Sequence, residues 1–155
     1  GQATVYNISA QVAPVCGVYS SSGPVIDVNF GSLANVATTA TVSVGAGSAT
    51  YRCTSRSGFT RTITSRNNGW LTLEGNPTTD VTRRIRFDMS HGGGNGLAFG
   101  MRQLTAPLSR NFPSTPVWLN GQTGSVTFQA FGVRGAPTAT GVPGTLLLGD
   151  QLIHL

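Results

Sequence analysis

Residues 124–133 read Gly-Ser-Val-Thr-Phe-Gln-Ala-Phe-Gly-Val. Apolar and polar side chains alternate along this stretch, so Val126, Phe128 and Ala130 share one face. An alternation of period two predicts a β-strand with one face buried. No segment has the period of an amphipathic helix, and the chain is therefore expected to be all-β. Further strands are expected over residues 4–12, 25–30, 36–44, 48–53, 59–64, 70–73, 83–89, 97–104 and 145–155.

Glycine-rich turn signals separate these segments. Gly45-Ala-Gly47 predicts a turn, and Asn67-Asn-Gly69 is typical of a β-hairpin. Residues 105–123 hold three prolines and predict a long irregular connection. At 155 residues with 39% hydrophobic content, the chain is long enough for one domain with a buried core. Short strands at close spacing indicate a sandwich or a barrel.

The two cysteines, Cys16 and Cys53, indicate a disulfide in an oxidising compartment. Closing so long a loop stabilises a fold by about 4 kcal/mol in the chain-entropy account. Two buried free thiols are the alternative. A metal site is disfavoured because no histidines cluster near these residues. If the protein is exported, its signal peptide is expected to have been removed before Gly1.

The charge is basic but dispersed. Ten arginines and no lysine face five acidic residues, for a net charge of +5. Nucleic-acid binding is not expected, because only Arg83, Arg84 and Arg86 are grouped and no aromatic residues interleave with them. No run of 18 apolar residues occurs, so no transmembrane segment is expected.

Catalysis has little support in the sequence. His91-Gly-Gly-Gly is similar to a lipase oxyanion loop, but the Gly-x-Ser-x-Gly nucleophile motif is absent. A Ser–His–Asp set built on Asp88 and His91 would rest on spacing alone. The acidic residues are well separated, which disfavours paired-carboxylate chemistry. We therefore expect neither an enzyme nor a cofactor or metal.

The two tryptophans allow different interpretations. Trp70 follows the predicted hairpin turn and is expected to lie in the core rather than at its rim. Trp118 lies in the proline-rich connection, either as a loop residue folded over the end of the domain or as an exposed binding aromatic.

Several segments, taken in order, resemble the spore coat U domain, the pilin module of archaic chaperone–usher fimbriae. The alternating N-terminal segment leads to Cys16, and Asn29-Phe30-Gly31 follows, like the family's Asn/Asp-Phe-Gly. The remaining matches are Ala49–Cys53, which ends in the second cysteine, the Ile85–Met89 strand, Val126–Gly132 and the terminal Asp150–Leu155. Residues 90–123 and the apolar run Leu146–Leu148 depart from the family pattern.

The resemblance implies an immunoglobulin-like β-sandwich that lacks its last strand and is completed by a donor strand. Residues 1–12 would be the donor segment and residues 13–155 the pilin domain. The donor face would be Thr4, Tyr6, Ile8, Ala10 and Val12. The acceptor groove would be lined by Val126, Phe128, Ala130, Leu152 and Ile153. The alternative is that residues 4–12 form the first strand of their own domain.

The family's partners are neighbouring pilus subunits, a periplasmic chaperone and an outer-membrane usher. The resemblance therefore implies export through the periplasm into a cell-surface fimbria that supports adhesion and biofilm formation. A tip adhesin domain is the alternative, with Phe112, Trp118 and the loop at 91–96 as its binding residues.

Overall fold

The computed structural model describes residues 3–10, 16–20, 28–72, 78–92, 97–113, 116–136 and 148–154, without the side chains of 18–20 and 148–154. The chain is all-β. The strands are β1 (Cys16–Ser20), β2 (Thr41–Cys53), β3 (Phe59–Ser65), β4 (Trp70–Thr72), β5 (Arg84–His91), β6 (Phe99–Arg102), β7 (Leu108–Phe112), β8 (Gln122–Phe131) and β9 (Leu148–His154). A short 3₁₀ helix, Val81–Arg83, and a one-turn helix, α1 (Val117–Asn120), complete the described elements.

The strands form two antiparallel sheets. The larger has the order β1-β2-β8-β5-β4, with β6 also paired to β5, and the smaller has the order β7-β3-β9. The main core receives side chains from both sheets, among them Phe87 and Phe128 from the larger and Ile63 from the smaller. The alternation predicted for residues 124–133 is confirmed, since Val126, Phe128 and Ala130 are all buried.

The predicted disulfide is confirmed. Cys16 and Cys53 are bonded, and they are direct register partners in the β1–β2 pair. The bond closes a loop with a sequence separation of 37 residues. It therefore fixes the start of β1 to the end of β2.

The predicted turn at 45–47 is wrong. β2 runs through it as one strand of 13 residues, and the register with β8 shifts between Gly45 and Ser48. The extra residues form a β-bulge, in which Gly47 has φ 78° and Ala46 turns into the core. The strand expected from residue 36 begins only at Thr41.

The Asn67-Asn-Gly69 turn forms, with positive φ at Asn68 and Gly69, but it does not close a hairpin. β3 pairs with β7 and β9, whereas β4 pairs with β5 in the larger sheet. The turn therefore carries the chain from one sheet to the other. Its geometry is fixed locally, because the Ser65 hydroxyl accepts a hydrogen bond of 2.8 Å from the Gly69 amide.

The prediction of an irregular connection over 105–123 is also wrong in part. That region contains β7, α1 and the start of β8. The strand expected at 25–30 is absent at 28–30, and residues 25–27 lie outside the described residues. There the Asn29 side chain accepts a 2.8 Å hydrogen bond from the Gly31 amide, and Gly31 has φ 69°. This is a local turn of the Asx type, and Phe30 packs against the core beside it.

Candidate functional site

The N-terminal segment lies outside every strand. Residues 3–10 are all exposed and have no regular secondary structure. Tyr6 is 81% exposed and Ile8 92% exposed, and Val5 between Thr4 and Tyr6 is 79% exposed. Thr4 and Ala10 are exposed as well, while Val12 lies outside the described residues. The described part of this segment therefore does not form a strand of its own domain.

Leaving apolar side chains exposed to water, as in residues 3–10, is unfavourable in free energy. Burying a Val, Ile or similar side chain stabilises a protein by about 1.5–3 kcal/mol relative to leaving it exposed. A run that alternates apolar and polar residues and stays outside the core is suited to pairing with a sheet edge. The segment thus has the composition of a strand without having a partner strand among the described residues.

One edge of the smaller sheet is formed by β9. All seven residues of β9 pair with β3, from Leu148 opposite Ser65 to His154 opposite Phe59. The other side of β9 has no partner strand among the described residues. Its backbone N–H and C=O groups on that side are a template for another strand. β1, an edge strand of the larger sheet, also comes close to β9.

The predicted groove residues are distributed over two different environments. Val126, Phe128 and Ala130 lie in β8, which is central because β2 and β5 pair with it on either side. Leu152 and Ile153 lie in β9, and their side chains are outside the described part of the structure. The free backbone edge thus belongs to β9, while the β8 residues lie in the main core. The acceptor role of these five residues stays a prediction.

A second, aromatic core adjoins the disulfide. Tyr51, Phe59, Phe112 and Trp118 form it, with ring centroids of contacting pairs between 4.9 and 5.6 Å apart. Trp118 is only 7% exposed and Phe112 is half-buried. Trp118 is therefore folded over the end of the domain, and the solvent-exposed neighbours in α1 are Val117 and Leu119.

Trp70 is not a core residue. Leu71 takes the inward position in β4, so Trp70 lies half-buried on the outer face of the larger sheet. The Arg84 guanidinium carbon lies 3.9 Å from the centroid of its ring. The expectation of a core tryptophan is wrong because Trp70 lies opposite the exposed Arg86, whereas Leu71 lies opposite the buried Ile85.

The other two arginines of the group, Arg83 and Arg86, each contact a nearby carboxylate. The Nε atom of Arg83 lies 3.6 Å from a carboxylate oxygen of Asp80, and Arg86 donates to both carboxylate oxygens of Asp88 at 2.9 and 3.3 Å. Gln129 donates to Asp88 as well, at 3.3 Å. These charges are thus engaged on the sheet surface, beside the Phe131 ring that Arg86 covers at 4.9 Å.

The Asp80 carboxylate caps the 3₁₀ helix. Hydrogen bonds from the hydroxyl and then the amide of Thr82 hold the pKa of Asp80 below its usual value, aided by the charges of Arg83 and Arg84. This is a local cap on an exposed turn.

Asp88 and His91 do not form a catalytic pair. Asp88 is opposite Gln129 on the outer face, while His91 is opposite Val126 on the core face. His91 is buried, its Nδ1 lies 2.8 Å from the carbonyl oxygen of Leu97, and its ring stacks on Phe99. These contacts join His91 to the chain that resumes at Leu97, and residues 93–96 between them lie outside the described chain. Within the described ranges, no three His, Cys, Asp or Glu residues form a group that could hold a metal ion.

In the part of the chain that the structure describes, no helix is long and apolar enough to cross a membrane. The chain matches no known family model, and comparison with curated proteins and with solved structures found no significant match.

The feature that the sequence did not reveal is the position of β9 at an edge. A strand's place in a sheet depends on pairing between distant segments, which alternation along the chain does not encode. The Leu148–His154 segment shows only that a strand forms there.

Proposed function

We propose that this protein is a structural subunit of a cell-surface fimbria, assembled by donor-strand exchange and acting by assembly rather than by catalysis. In this proposal residues 1–12 of one subunit complete the sheet of the next. A periplasmic chaperone occupies the same edge before an outer-membrane usher exchanges the strands. The fibre then supports adhesion and biofilm formation.

The strand order is the observation that carries the proposal. Immunoglobulin-type sandwiches place strands A, B, E and D in one sheet and C, F and G in the other. The order β1-β2-β8-β5 corresponds to A-B-E-D, and the adjacent pair β3-β9 corresponds to C-F. No described strand takes the place of G beside β9. The missing position is the one that a donor strand would fill.

The exposed N-terminal segment supports the same proposal. Its described residues, 3–10, remain outside the fold, with Tyr6 and Ile8 almost fully exposed. Eight residues in extended conformation span about 26 Å, and the seven-residue β9 spans about 23 Å, at about 3.3 Å per residue. The segment is therefore long enough to pair with β9 over its whole length.

The disulfide separates the segment that would donate a strand from the domain that would accept one. Cys16 begins β1 and is bonded to Cys53, so the chain after the donor segment is fixed to the larger sheet.

Donor-strand exchange would join the N-terminal segment of one copy to the β9 edge of the next. Such head-to-tail contacts join different surfaces of successive copies and produce an open filament rather than a closed ring.

The test compares two single substitutions in the full chain. Ile8→Asp puts a charge on the predicted donor face and should abolish polymers seen by electron microscopy, because a charge cannot enter an apolar pocket without a partner. Ser9→Asp puts the same charge on the opposite face and should leave polymers intact. Equal polymerisation of both variants would contradict the proposal.

A deletion distinguishes the subunit from a tip adhesin. A chain lacking residues 1–12 should still bind the chaperone and a synthetic peptide of residues 1–12, yet should not extend a fibre. A tip domain would enter fibres unchanged after this deletion. An intact chain that stays a stable monomer without any chaperone would exclude the missing-strand proposal altogether.

A further inference from the structure

The smaller sheet carries a buried positive charge in its central strand. Arg61 lies in β3 and is 0% exposed. Its neighbours on the same face of β3 are Phe59, which packs in the aromatic core, and Ile63, which packs in the main core. The Arg61 guanidinium carbon lies 5.0 Å from the centroid of the Tyr51 ring in β2. Arg61 therefore extends into the space between the two sheets.

The charge of Arg61 must be compensated within the protein. A guanidinium group does not lose its proton in proteins, so Arg61 stays charged when it is buried. Burial of a charge is strongly unfavourable unless an opposite charge and hydrogen bonds compensate it. The Tyr51 ring attracts the cation, but a cation–π contact leaves the net charge in place. The burial of Arg61 therefore points to a carboxylate on the core-facing side of the sheets.

Five acidic residues are available to supply that carboxylate. Asp80 lies at an exposed turn and Asp88 on the outer face of the larger sheet, so neither carboxylate faces the space between the sheets. Of the other three, only Asp150 lies in a described strand, since Asp27 and Glu74 are outside the described residues.

The register of β9 on β3 places Asp150 on the same face as Arg61. Asp150 is the direct partner of Ile63, and Leu152 is the direct partner of Arg61. Direct partners in an antiparallel pair share one face of the sheet, and Arg61 and Ile63 are both buried on the core face. Asp150 therefore holds a core-facing register position that is diagonal to Arg61. Diagonal neighbours on one face lie within reach of a long side chain such as arginine.

A charge pair across β3 and β9 would fix the alignment of the two strands. Because side chains along a strand alternate between its two faces, a slip of one residue would move Asp150 to the outer face and leave Arg61 uncompensated. β9 has β3 as its only partner strand among the described residues, so no second described strand holds its register. Compensation of one charge by the other would therefore select the native alignment.

We propose that Asp150 compensates the buried charge of Arg61 and that this pair holds β9 on β3 in its native register. Arg61 and Asp150 are then positioning residues for the β9 edge. The charge pair itself is independent of the proposed function, and only its effect on the addition of a donor strand rests on that function.

A double-mutant cycle in the full chain tests the pair. Arg61→Met and Asp150→Leu each leave one buried charge uncompensated, so each should lower the melting temperature by about 10 °C. The double variant holds neither charge and should melt within about 3 °C of the parent, because apolar residues can replace a buried ion pair. Circular dichroism measures melting, and non-additive effects of this kind indicate direct coupling.

Control variants identify the acidic partner. Adding Asp27→Leu or Glu74→Leu to Arg61→Met should not restore the melting temperature, because neither acid is the proposed partner. Arg52→Met removes an exposed arginine from β2 and should change the melting temperature by less than about 2 °C.

Hydrogen exchange tests the positioning role. In Arg61→Met, an uncompensated carboxylate at the core-facing position favours release of β9, so its amides should exchange about tenfold faster relative to those of β8 than in the parent. A general loss of stability would accelerate exchange in both strands by the same factor.

Binding of a synthetic peptide of residues 1–12 to the chain lacking those residues tests the effect on strand addition. Arg61→Met should weaken this binding about tenfold, which is a loss measurable by titration calorimetry. If the parent bound no peptide while the cycle and the exchange behaved as expected, the proposed function would fail and the charge pair would stand.

The proposal is overturned if the losses in melting temperature of Arg61→Met and Asp150→Leu add up in the double variant. It is overturned equally if Asp27→Leu or Glu74→Leu restores Arg61→Met, since another acid would then be the partner. Equal acceleration of exchange in β8 and β9 would overturn the positioning role.

Discussion

At the scale of single residues, Trp118 shows how a proline-rich connection contributes to the core. Its ring lies 5.0 to 5.6 Å from those of Phe112, Phe59 and Tyr51. Trp118→Ala should lower the free energy of unfolding by about 3 kcal/mol, because it removes a large buried ring and leaves a cavity. Urea unfolding monitored by circular dichroism measures the change.

Leu119→Ala is the matched control, since the neighbouring residue in the same helix is 57% exposed. It should change stability by less than about 0.5 kcal/mol. If Trp118→Ala unfolded at the wild-type urea concentration but weakened attachment to surfaces, Trp118 would be a binding residue and the packing argument would fail.

The two tryptophans also show why burial of single residues is hard to predict from sequence. Trp70 begins a three-residue strand, too short for its alternation to show which face turns inward. Trp118 is buried because β2 and β3 bring Tyr51 and Phe59 to it from more than 50 residues away in sequence. By contrast, Phe128 lies in a long regular strand, where ten residues of alternation define the inner face.

At the scale of elements, Gly132 allows the end of β8 to pass close to the segment before β2. A Cβ atom at this position would overlap the carbonyl oxygens of Val36 and Ala37. The Gly132 amide also donates a 3.0 Å hydrogen bond to the carbonyl of Ala40. Gly132→Ala should therefore destabilise the fold by about 2 kcal/mol, since backbone atoms cannot move aside as a flexible side chain can. Thermal unfolding measures this.

Gly45→Ala is the control for an added methyl group. Nothing lies within 4 Å of its would-be Cβ, and its φ is not positive. Its effect should stay within about 0.5 kcal/mol. A loss of stability as large as that of Gly132→Ala would mean that any lost glycine, rather than the close approach, causes the effect.

Elements differ in how far local sequence determines them. β8 was predictable because its alternation extends over the whole strand. The sequence of the β2 bulge also predicts a turn, because two glycines two positions apart, Gly45 and Gly47, permit both. Only pairing with β8 on both sides of the bulge selects the continuous strand. The sequence does not predict β7, because its five residues lie between two prolines, which usually indicate irregular structure.

At the scale of the whole molecule, the arrangement of strands depends on contacts that no short segment specifies. The Asn67-Asn-Gly69 signal is typical of a hairpin, but β3 and β4 leave the turn into different sheets. The chain thereby places β3 between β7 and β9, and both edges of the smaller sheet come from segments distant in sequence. A sequence pattern can predict strands and a disulfide, while the open edge follows from topology alone.

The disulfide joins the whole-molecule fold to the N-terminal segment, and replacing both cysteines tests its contribution. Cys16→Ser with Cys53→Ser should lower the free energy of unfolding by about 4 kcal/mol, the chain-entropy value for a loop with a separation of 37 residues. Urea unfolding with and without a reductant measures this. The wild type should lose the same stability on reduction, whereas the double variant should not respond.

The same variant separates a structural role of the disulfide from a role in assembly. β1 has only β2 as a partner strand among the described residues, so loss of the bond should detach β1 first. Folding yield should therefore fall more than the ability of the folded fraction to assemble, measured by quantitative electron microscopy of purified folded chains. If stability were unchanged but assembly were lost, Cys16 would serve to position the donor segment rather than to hold the two strands together.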